Sequence, residues 1–489
     1  MKSKCVSIII GILICLTSCY SQGSGIKTFC YNAWNNGVNQ LTEVPSDEII
    51  PVPLGSDNYR IIKILNKSSG TLVINGVMCV SKIASVKVYE LPVMKDFGFQ
   101  SVLDVMIPFS GNPIILNKNG SKYFLLKITG LQSGAADLIT NITIGGVKSI
   151  ALTKKIKVAS LGNYKLNLNV WSYFNYPLLK GIRQTVIYDL QNHNANVLVI
   201  PPAGMPSPSS LKPDGAILKT YIKDANKFDY YLLFLNYNTL VKPPFLFSSA
   251  WQTRFLNWCS TIKDVFKEKG IPLSKVLLYP YDEPTPAQAE YFVRLWEFCN
   301  KNNVGLSFYS TIVDPNSAFI AYYTKVVQSN IKSATVAAVK KHLGKQSQLW
   351  LYDIKAQSRD IRPQKYLQCG WQAYIDGATG IGVWNYGDVS SAFTSQNVEK
   401  MLSPQNDIGT WQLPVLNKVK DYSLVYRQGN NLYSSIRWEA LSYSKCEYGF
   451  LKLYEKKYGS SSAMKLASDL KSNKESLSDW EKVKVSLLE

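Results

Sequence analysis

Histidine is almost missing from these 489 residues: His193 and His342 stand alone against 54 Lys and Arg and 34 Asp and Glu. Zinc sites draw on clustered His and Cys, and a serine triad on a placed imidazole, so neither chemistry finds its parts here. No GxGxxG follows a strand-like run, which removes the usual dinucleotide fingerprint. No arginine stripe or aromatic RNA-binding motif accompanies the net charge of +20, so no nucleic-acid partner is expected. No apolar run after residue 16 is long enough to span a bilayer. With 46% hydrophobic and 12% aromatic residues, the chain buries real cores, and its length suits two or three domains. Proton transfer is left to carboxylates, without metal or cofactor.

Lys2 and Lys4 precede an apolar run from Val6 to Leu16, the layout of an export signal over residues 1–18. The run closes on Leu16-Thr17-Ser18-Cys19, which resembles the lipobox of bacterial lipoproteins and implies lipidation (palmitate included) at Cys19. Residues 19–25 read as a polar tether. The expected location is the cell envelope, anchored by lipid to the outer membrane. Six cysteines follow (Cys30, Cys79, Cys259, Cys299, Cys369 and Cys446), none in a CxxC, and they read as small core residues.

Short β-rich runs recur over residues 26–160, among them Thr71 to Ile74, Val86 to Tyr89, Tyr123 to Ile128 and Leu138 to Ile144, with Asn75-Gly76 and Gly145-Gly146 as turns. This predicts an N-terminal all-β sandwich. From residue 161 strand-like runs alternate with amphipathic segments. Eight strands are expected, at Leu166 to Trp171, Asn196 to Ile200, Tyr230 to Leu235, Val276 to Tyr281, Val304 to Tyr309, Leu349 to Asp353, Gly380 to Trp384 and Leu424 to Arg427. An α/β fold of the (β/α)8 TIM-like barrel type follows, over residues 161–455, with a charged helical tail at 456–489.

The run from Val276 to Pro286 carries the chemistry. Its apolar half is a buried strand, and Thr285, Pro286 and Gln288 form a capping box that opens the next helix. Asp282 and Glu283 therefore sit at a strand's C-terminal end, the active-site mouth of a barrel. Mutual repulsion and aromatic surroundings are expected to keep a proton on one of them, as a general acid requires. An adjacent pair does not straddle a scissile bond as the usual glycosidase carboxyls do. It suits a scheme in which Glu283 protonates the leaving oxygen and Asp282 orients a substrate acetamido group that is itself the nucleophile.

Tyr281-Asp282-Glu283-Pro284, Gly380 to Asn385 and Ser435 to Leu441 together resemble the family 123 glycoside hydrolases and their wider relatives. The resemblance spans residues 161 to 455 and implies retaining β-N-acetylgalactosaminidase activity by neighbouring-group participation, with Glu283 as acid/base and Asp282 stabilising an oxazolinium. Where relatives continue with glycine and aspartate, this chain has Ser444 and Glu447, positions expected to serve the fold.

A sugar ring needs aromatic platforms beside its acids. Strand ends offer Trp171, Tyr237, Tyr309, Tyr352, and Trp384-Asn385 with Asp388. Trp384 is the expected wall of the sugar site, and Tyr352 or Tyr309 the donor to the acetamido oxygen. Trp371 reads as packing and Arg437 with Glu439 as a surface pair. Two alternatives stand beside this reading. In one, Asp353 or Asp388 opposes Glu283 in a two-carboxylate glycosidase; in the other, the chain is a glycan-binding lipoprotein without turnover. The expected partners are an oligosaccharide or glycoconjugate, acidic if the basic excess steers it, and the membrane through the anchor.

Overall fold

The computed structural model describes residues 25–95, 100–145, 148–176, 178–240, 246–353, 361–387 and 423–489. Cys19, Gly146 and Asp388 lie outside them.

Twelve strands come first: β1 (Ile26–Asn32), β2 (Ile49–Pro53), β3 (Asp57–Asn66), β4 (Leu72–Val80), β5 (Ala84–Leu91), β6 (Val93–Lys95), β7 (Ser101–Leu103), β8 (Ile107–Pro108), β9 (Ile114–Leu116), β10 (Ser121–Gly130), β11 (Gly134–Ile144) and β12 (Lys148–Ala159). Ten form two five-stranded sheets, ordered β1-β3-β10-β5-β8 and β2-β12-β11-β4-β9, while β6 and β7 pair separately. Ile62, Ile64, Phe124, Leu126, Ile142 and Ile156 fill the space between the sheets. The unbroken apolar run Tyr123-Phe124-Leu125-Leu126 has a simple cause. Phe124 and Leu126 face the second sheet, whereas Tyr123 and Leu125 face the barrel's own core, so β10 is covered on both sides. The Asn75-Gly76 turn is corrected: both residues lie inside β4, where the register against β11 jumps from Gly76↔Thr143 to Ile74↔Ile144 and leaves Asn75 as the extra residue of a bulge.

The second unit is the expected barrel. Its strands are β13 (Asn167–Asn169), β14 (Val197–Ile200), β15 (Tyr230–Phe234), β16 (Val276–Tyr279), β17 (Ser307–Ile312), β18 (Val326–Asn330), β19 (Gln348–Asp353) and β20 (Gly380–Val383), parallel and ordered β13-β20-β19-β18-β17-β16-β15-β14. Side chains close the remaining seam: Asn196 Oδ1 accepts from Leu168 N at 2.8 Å, and Asn196 Nδ2 donates to Asn167 Oδ1 at 2.8 Å. The expected strand at Leu424 to Arg427 is also corrected. That segment belongs to a hairpin, β21 (Val425–Gln428) with β22 (Asn431–Ser434), and the eighth barrel strand is β18. Its inward residues Gln328 and Asn330 are polar, so its apolar signal is too short to read as a strand.

Inward residues alternate along every barrel strand, from Val197, Leu232, Leu277, Tyr309 and Trp350 to Tyr279, Tyr352 and Trp384 nearer the mouth. Gly380 and Gly382 make room for them: a Cβ at Gly380 would lie 2.5 Å from Trp350 Cγ, and one at Gly382 2.4 Å from Gln328 Nε2. Outside run α1 (Arg183–Asn192), α2 (Ala216–Tyr221), α3 (Tyr237–Leu240), α4 (Ser249–Glu268), α5 (Pro286–Lys301), α6 (Ser333–His342), α7 (Pro363–Asp376) and α8 (Ile436–Tyr458), followed by α9 (Ser460–Lys471) and α10 (Leu477–Leu487).

Arg437 and Glu439 are not a surface pair; they are 1% and 2% exposed. Arg437 grips Asp104 of the sandwich, its Nη2 2.8 Å from Oδ2. Glu439 accepts from sandwich Tyr59 at 2.5 Å and Lys127 at 3.0 Å, and its Oε1 lies 3.1 Å from His193 Nε2. The imidazole stacks on Trp438. Its pKa is raised: burial works against the charged ring, and the Asp189 and Glu439 charges outweigh it. Ser444 and Glu447 serve packing. Ser444 O would be 2.0 Å from a Cβ on Gly370, so α7 and α8 touch backbone to backbone. Glu447 accepts from Trp371 Nε1 at 2.8 Å and Trp480 Nε1 at 2.6 Å. The tail helix α10 returns to the sandwich, where Glu481 meets Arg60 at 3.1 Å.

Candidate functional site

The strand β16 ends at Tyr279, and the chain then passes through Pro280, Tyr281, Asp282, Glu283 and Pro284 into the capping box of α5, where Thr285 accepts from Gln288 N and Gln288 Oε1 accepts from Thr285 N. The turn between strand and helix is held on three sides. Asn238, on α3, brackets the Asp282 backbone, accepting from its N–H at 2.9 Å and donating to its carbonyl at 2.8 Å. Ser317 Oγ donates to Pro284 O at 2.7 Å. Thr311 Oγ1, inward on β17, accepts from Glu283 N at 2.7 Å.

Both acids look into the barrel mouth. Asp282 Oδ1 accepts from Tyr279 OH and, at 2.8 Å, from Thr311 Oγ1. Glu283 Oε1 accepts from Tyr352 OH, which rises from the opposite arc of the ring on β19. Glu283 has a left-handed φ of 47°, a conformation costing roughly 1–2 kcal/mol for a residue with a Cβ. Strain of this kind persists where surrounding contacts over-determine it, as they do here.

Burial raises the pKa of Glu283; the Tyr352 hydrogen bond opposes this, the neighbouring Asp282 charge adds to it, and the Lys332 charge opposes it again. The net direction is upward from the usual carboxylate range. Lys332 follows β18 and caps no charge of its own, being exposed and in no ion pair among the described residues. Ile331 N donates to Tyr352 O at 3.2 Å, which ties this segment to the strand that holds Glu283.

The aromatic candidates divide by level. Trp384 is half-buried at the end of β20 and packs against Trp171 at 6.2 Å and Tyr173 at 5.7 Å; Trp171 also meets Tyr352 at 5.7 Å. These rings form one wall. Tyr309 is not at the mouth: it lies one layer down, fully buried, and donates to Gln328 Oε1 at 2.5 Å, with Asn169 donating to the same oxygen at 3.0 Å. Tyr237 is not there either; it packs outside the ring against Tyr281. Asn385 is fully buried and accepts from Gly387 N at 2.8 Å, while its Nδ2 has no hydrogen-bond partner among the described residues.

The period of β19 also decides the placing of Asp353. With Trp350 and Tyr352 inward, Asp353 turns to the outer side, close enough to Cys369 of α7 for its charge to act on the thiol. It does not oppose Glu283. Asn238, Tyr279 and Thr311 were missed by sequence reasoning. Tyr279 carried a signal, being the inward residue one period before the acids, whereas a threonine inside a strand carries none. Among the described residues no group of three His, Cys, Asp or Glu side chains stands close enough to hold a metal ion.

No family model matches the sequence, and no curated protein matches it. Solved structures do. The chain is similar to a family 2 β-galacturonidase from Eisenbergiella tayi (TM-score 0.36, 10% identity, covering 80% of this chain and 69% of that one). It is also similar to a family 39 glycoside hydrolase from Bacteroides cellulosilyticus (TM-score 0.36, 10% identity, 81% of each). A family 123 glycoside hydrolase from Clostridium perfringens, studied for glycolipid glycan hydrolysis, superposes with a TM-score of 0.63 at 11% identity over 95% of this chain and 96% of that one, and the two chains share a fold.

Proposed function

We propose that this protein is a retaining glycoside hydrolase of the β-N-acetylhexosaminidase type, with β-N-acetylgalactosaminides as substrates and the 2-acetamido group as nucleophile. The observation that carries the reading is the division of labour between the adjacent acids. Asp282 has one oxygen occupied by two hydroxyls and the other without a partner among the described residues, while burial favours a proton on Glu283. Shared fold with a family 123 enzyme supports it.

In the first step Glu283 gives its proton to the glycosidic oxygen as the bond from C1 to that oxygen breaks. The acetamido carbonyl oxygen bonds to C1 from the other face. Asp282 Oδ2 accepts the amide N–H and offsets the positive charge of the resulting oxazolinium. The Tyr352 hydroxyl occupies Glu283 Oε1, so Oε2 carries the proton. That same hydrogen bond strengthens as Glu283 becomes anionic, which favours the transition state over the ground state. In the second step Glu283 takes a proton from water, water oxygen bonds to C1, and the acetamide is restored with net retention. Trp384, backed by Trp171 and Tyr173, supplies the apolar face for the sugar. Export and attachment through lipid on Cys19 belong to the same proposal, which puts the enzyme against envelope or extracellular glycans.

The test is a panel of aryl β-hexosaminides with and without the 2-acetamido group, together with a thiazoline mimic of the oxazoline. Turnover confined to acetamido substrates and inhibition by the thiazoline are expected. Equal hydrolysis of a substrate lacking the acetamido group refutes the assisted mechanism, and binding without turnover makes the chain a glycan-binding protein.

A pH effect follows from Lys332. Its charge lowers the Glu283 pKa, so Lys332→Met raises it and keeps the acid protonated to higher pH. The alkaline limb of the kcat/KM profile should move up by roughly 0.5 unit, the size of one exposed charge acting through a high dielectric. An unmoved or lowered limb contradicts the assignment of Glu283 as the acid.

A further inference from the structure

Two consecutive side chains leave an extended backbone in opposite directions, yet the carboxyls of Asp282 and Glu283 both meet groups on the inner face of the ring. The left-handed φ at Glu283 reverses the second direction. Asn238 and Ser317 hold the main chain on either side but touch neither carboxyl. One atom touches both residues. Thr311 Oγ1 receives the Glu283 N–H at 2.7 Å and lies 2.8 Å from Asp282 Oδ1, with Tyr279 OH 3.1 Å away.

Bond strength selects one arrangement. The threonine hydroxyl accepts from Glu283 N–H and can give its own proton to Tyr279 OH at 3.1 Å or to Asp282 Oδ1 at 2.8 Å, and the bond to the carboxylate is shorter and charge-assisted. Tyr279 has the choice of that same threonine oxygen or the carboxylate, and the charge-assisted bond is the stronger. Both hydroxyl protons therefore fall on Asp282 Oδ1, which turns Oδ2 outward. Thr311 is 1% exposed on a strand, and its branched Cβ leaves few χ1 wells, so the direction of the hydroxyl is set before substrate arrives.

We propose that Thr311 is the positioning residue that locks the two acids relative to one another. The proposal rests on the roles given to Asp282 and Glu283 above. Through one hydroxyl, Thr311 aims Asp282 Oδ2 at the substrate amide and pins the backbone from which Glu283 reaches the leaving oxygen. Of the two acids, Tyr279 touches Asp282 and not Glu283.

The experiment compares Thr311→Val, which keeps the shape and loses the hydroxyl, with Thr311→Ser, which keeps the hydroxyl, and with Tyr279→Phe. Each is assayed on an aryl β-N-acetylgalactosaminide and for thiazoline binding by calorimetry, with melting midpoints as a control on folding. Thr311→Val should lose roughly 10- to 100-fold in kcat, with KM within about 3-fold of wild type, the signature of misplaced catalytic groups. Thr311→Ser should restore most of the rate, and Tyr279→Phe should lose less than Thr311→Val. A valine variant with wild-type kcat overturns the proposal and leaves the enzyme reading intact. A serine variant as impaired as valine also overturns it, since packing would then be the cause. A wild-type protein that neither turns over the glycoside nor binds the thiazoline overturns the reading of the site and the role of Thr311 with it.

Discussion

Glu283→Gln should lower kcat on an aryl β-N-acetylgalactosaminide by roughly 10²- to 10⁴-fold, the range for loss of a general acid. The size of the loss should depend on the leaving group. A dinitrophenolate departs without a proton and should be spared, whereas an alkyl or sugar leaving group should suffer the full loss. Asp282→Asn should show no such dependence, because Asp282 acts on the acetamido side. Equal losses across leaving groups for Glu283→Gln would show that proton delivery is not its task. The same variant has a stability signature. Burial raises the folded-state pKa of Glu283 above its unfolded value, so the contribution of this group is present at low pH and is lost as pH rises through the folded value. Glutamine never ionises beside Asp282. The variant should therefore melt slightly higher than wild type at pH 8 and equally at pH 4, trading activity for stability.

The second large effect concerns folding. Glu439→Ala should destabilise the protein by roughly 3–5 kcal/mol, the range for breaking a buried pair, because it leaves the half-buried Lys127 with Asp57 alone and the buried His193 with Asp189 alone. For a body of this size melting as one unit, that amounts to a fall of about 3–5 °C in the midpoint. Scanning calorimetry reads it directly. Removing partners together should cost less, since an imbalance of charge left inside the network adds to the loss: Lys127→Met with Glu439→Leu should recover part of the fall. Catalytic constants at 25 °C should not change, because His193 precedes β14 and the network lies at the end of the ring opposite the acids. A midpoint within 1 °C of wild type would mean that the network holds nothing together.

The sandwich, the barrel and the placing of Asp282 and Glu283 at the end of β16 were all legible in the sequence, because each rests on local signals: alternation, an apolar run, a capping box. The misreadings came from side chains whose surroundings are remote in sequence. Gln328 and Asn330 disguise β18: Gln328 bonds the buried Asn169 and Tyr309, and Asn330 Oδ1 accepts from Lys332 N at 3.2 Å. Arg437 and Glu439 look like a surface pair until Asp104, Tyr59 and Lys127 arrive from more than 300 positions away. Asp353 was avoidable: once Tyr352 is inward, the strand period sends its neighbour outward. Thr311 was not, since its role depends on a turn one strand over.

The seam between β13 and β14 bears on how the mouth can widen. Among the described residues, seven joints of the ring are backbone ladders, and the eighth is a clasp made by Asn196. A ring of this kind is least stiff at its clasp, where few bonds must yield. Trp171 sits just beyond β13, so this part of the aromatic wall stands beside the clasp, whereas Trp384 follows β20, which is laddered on both sides. A clasp that yields would shift Trp171 and, through its contact with Tyr352 at 5.7 Å, would reach the hydroxyl that holds Glu283.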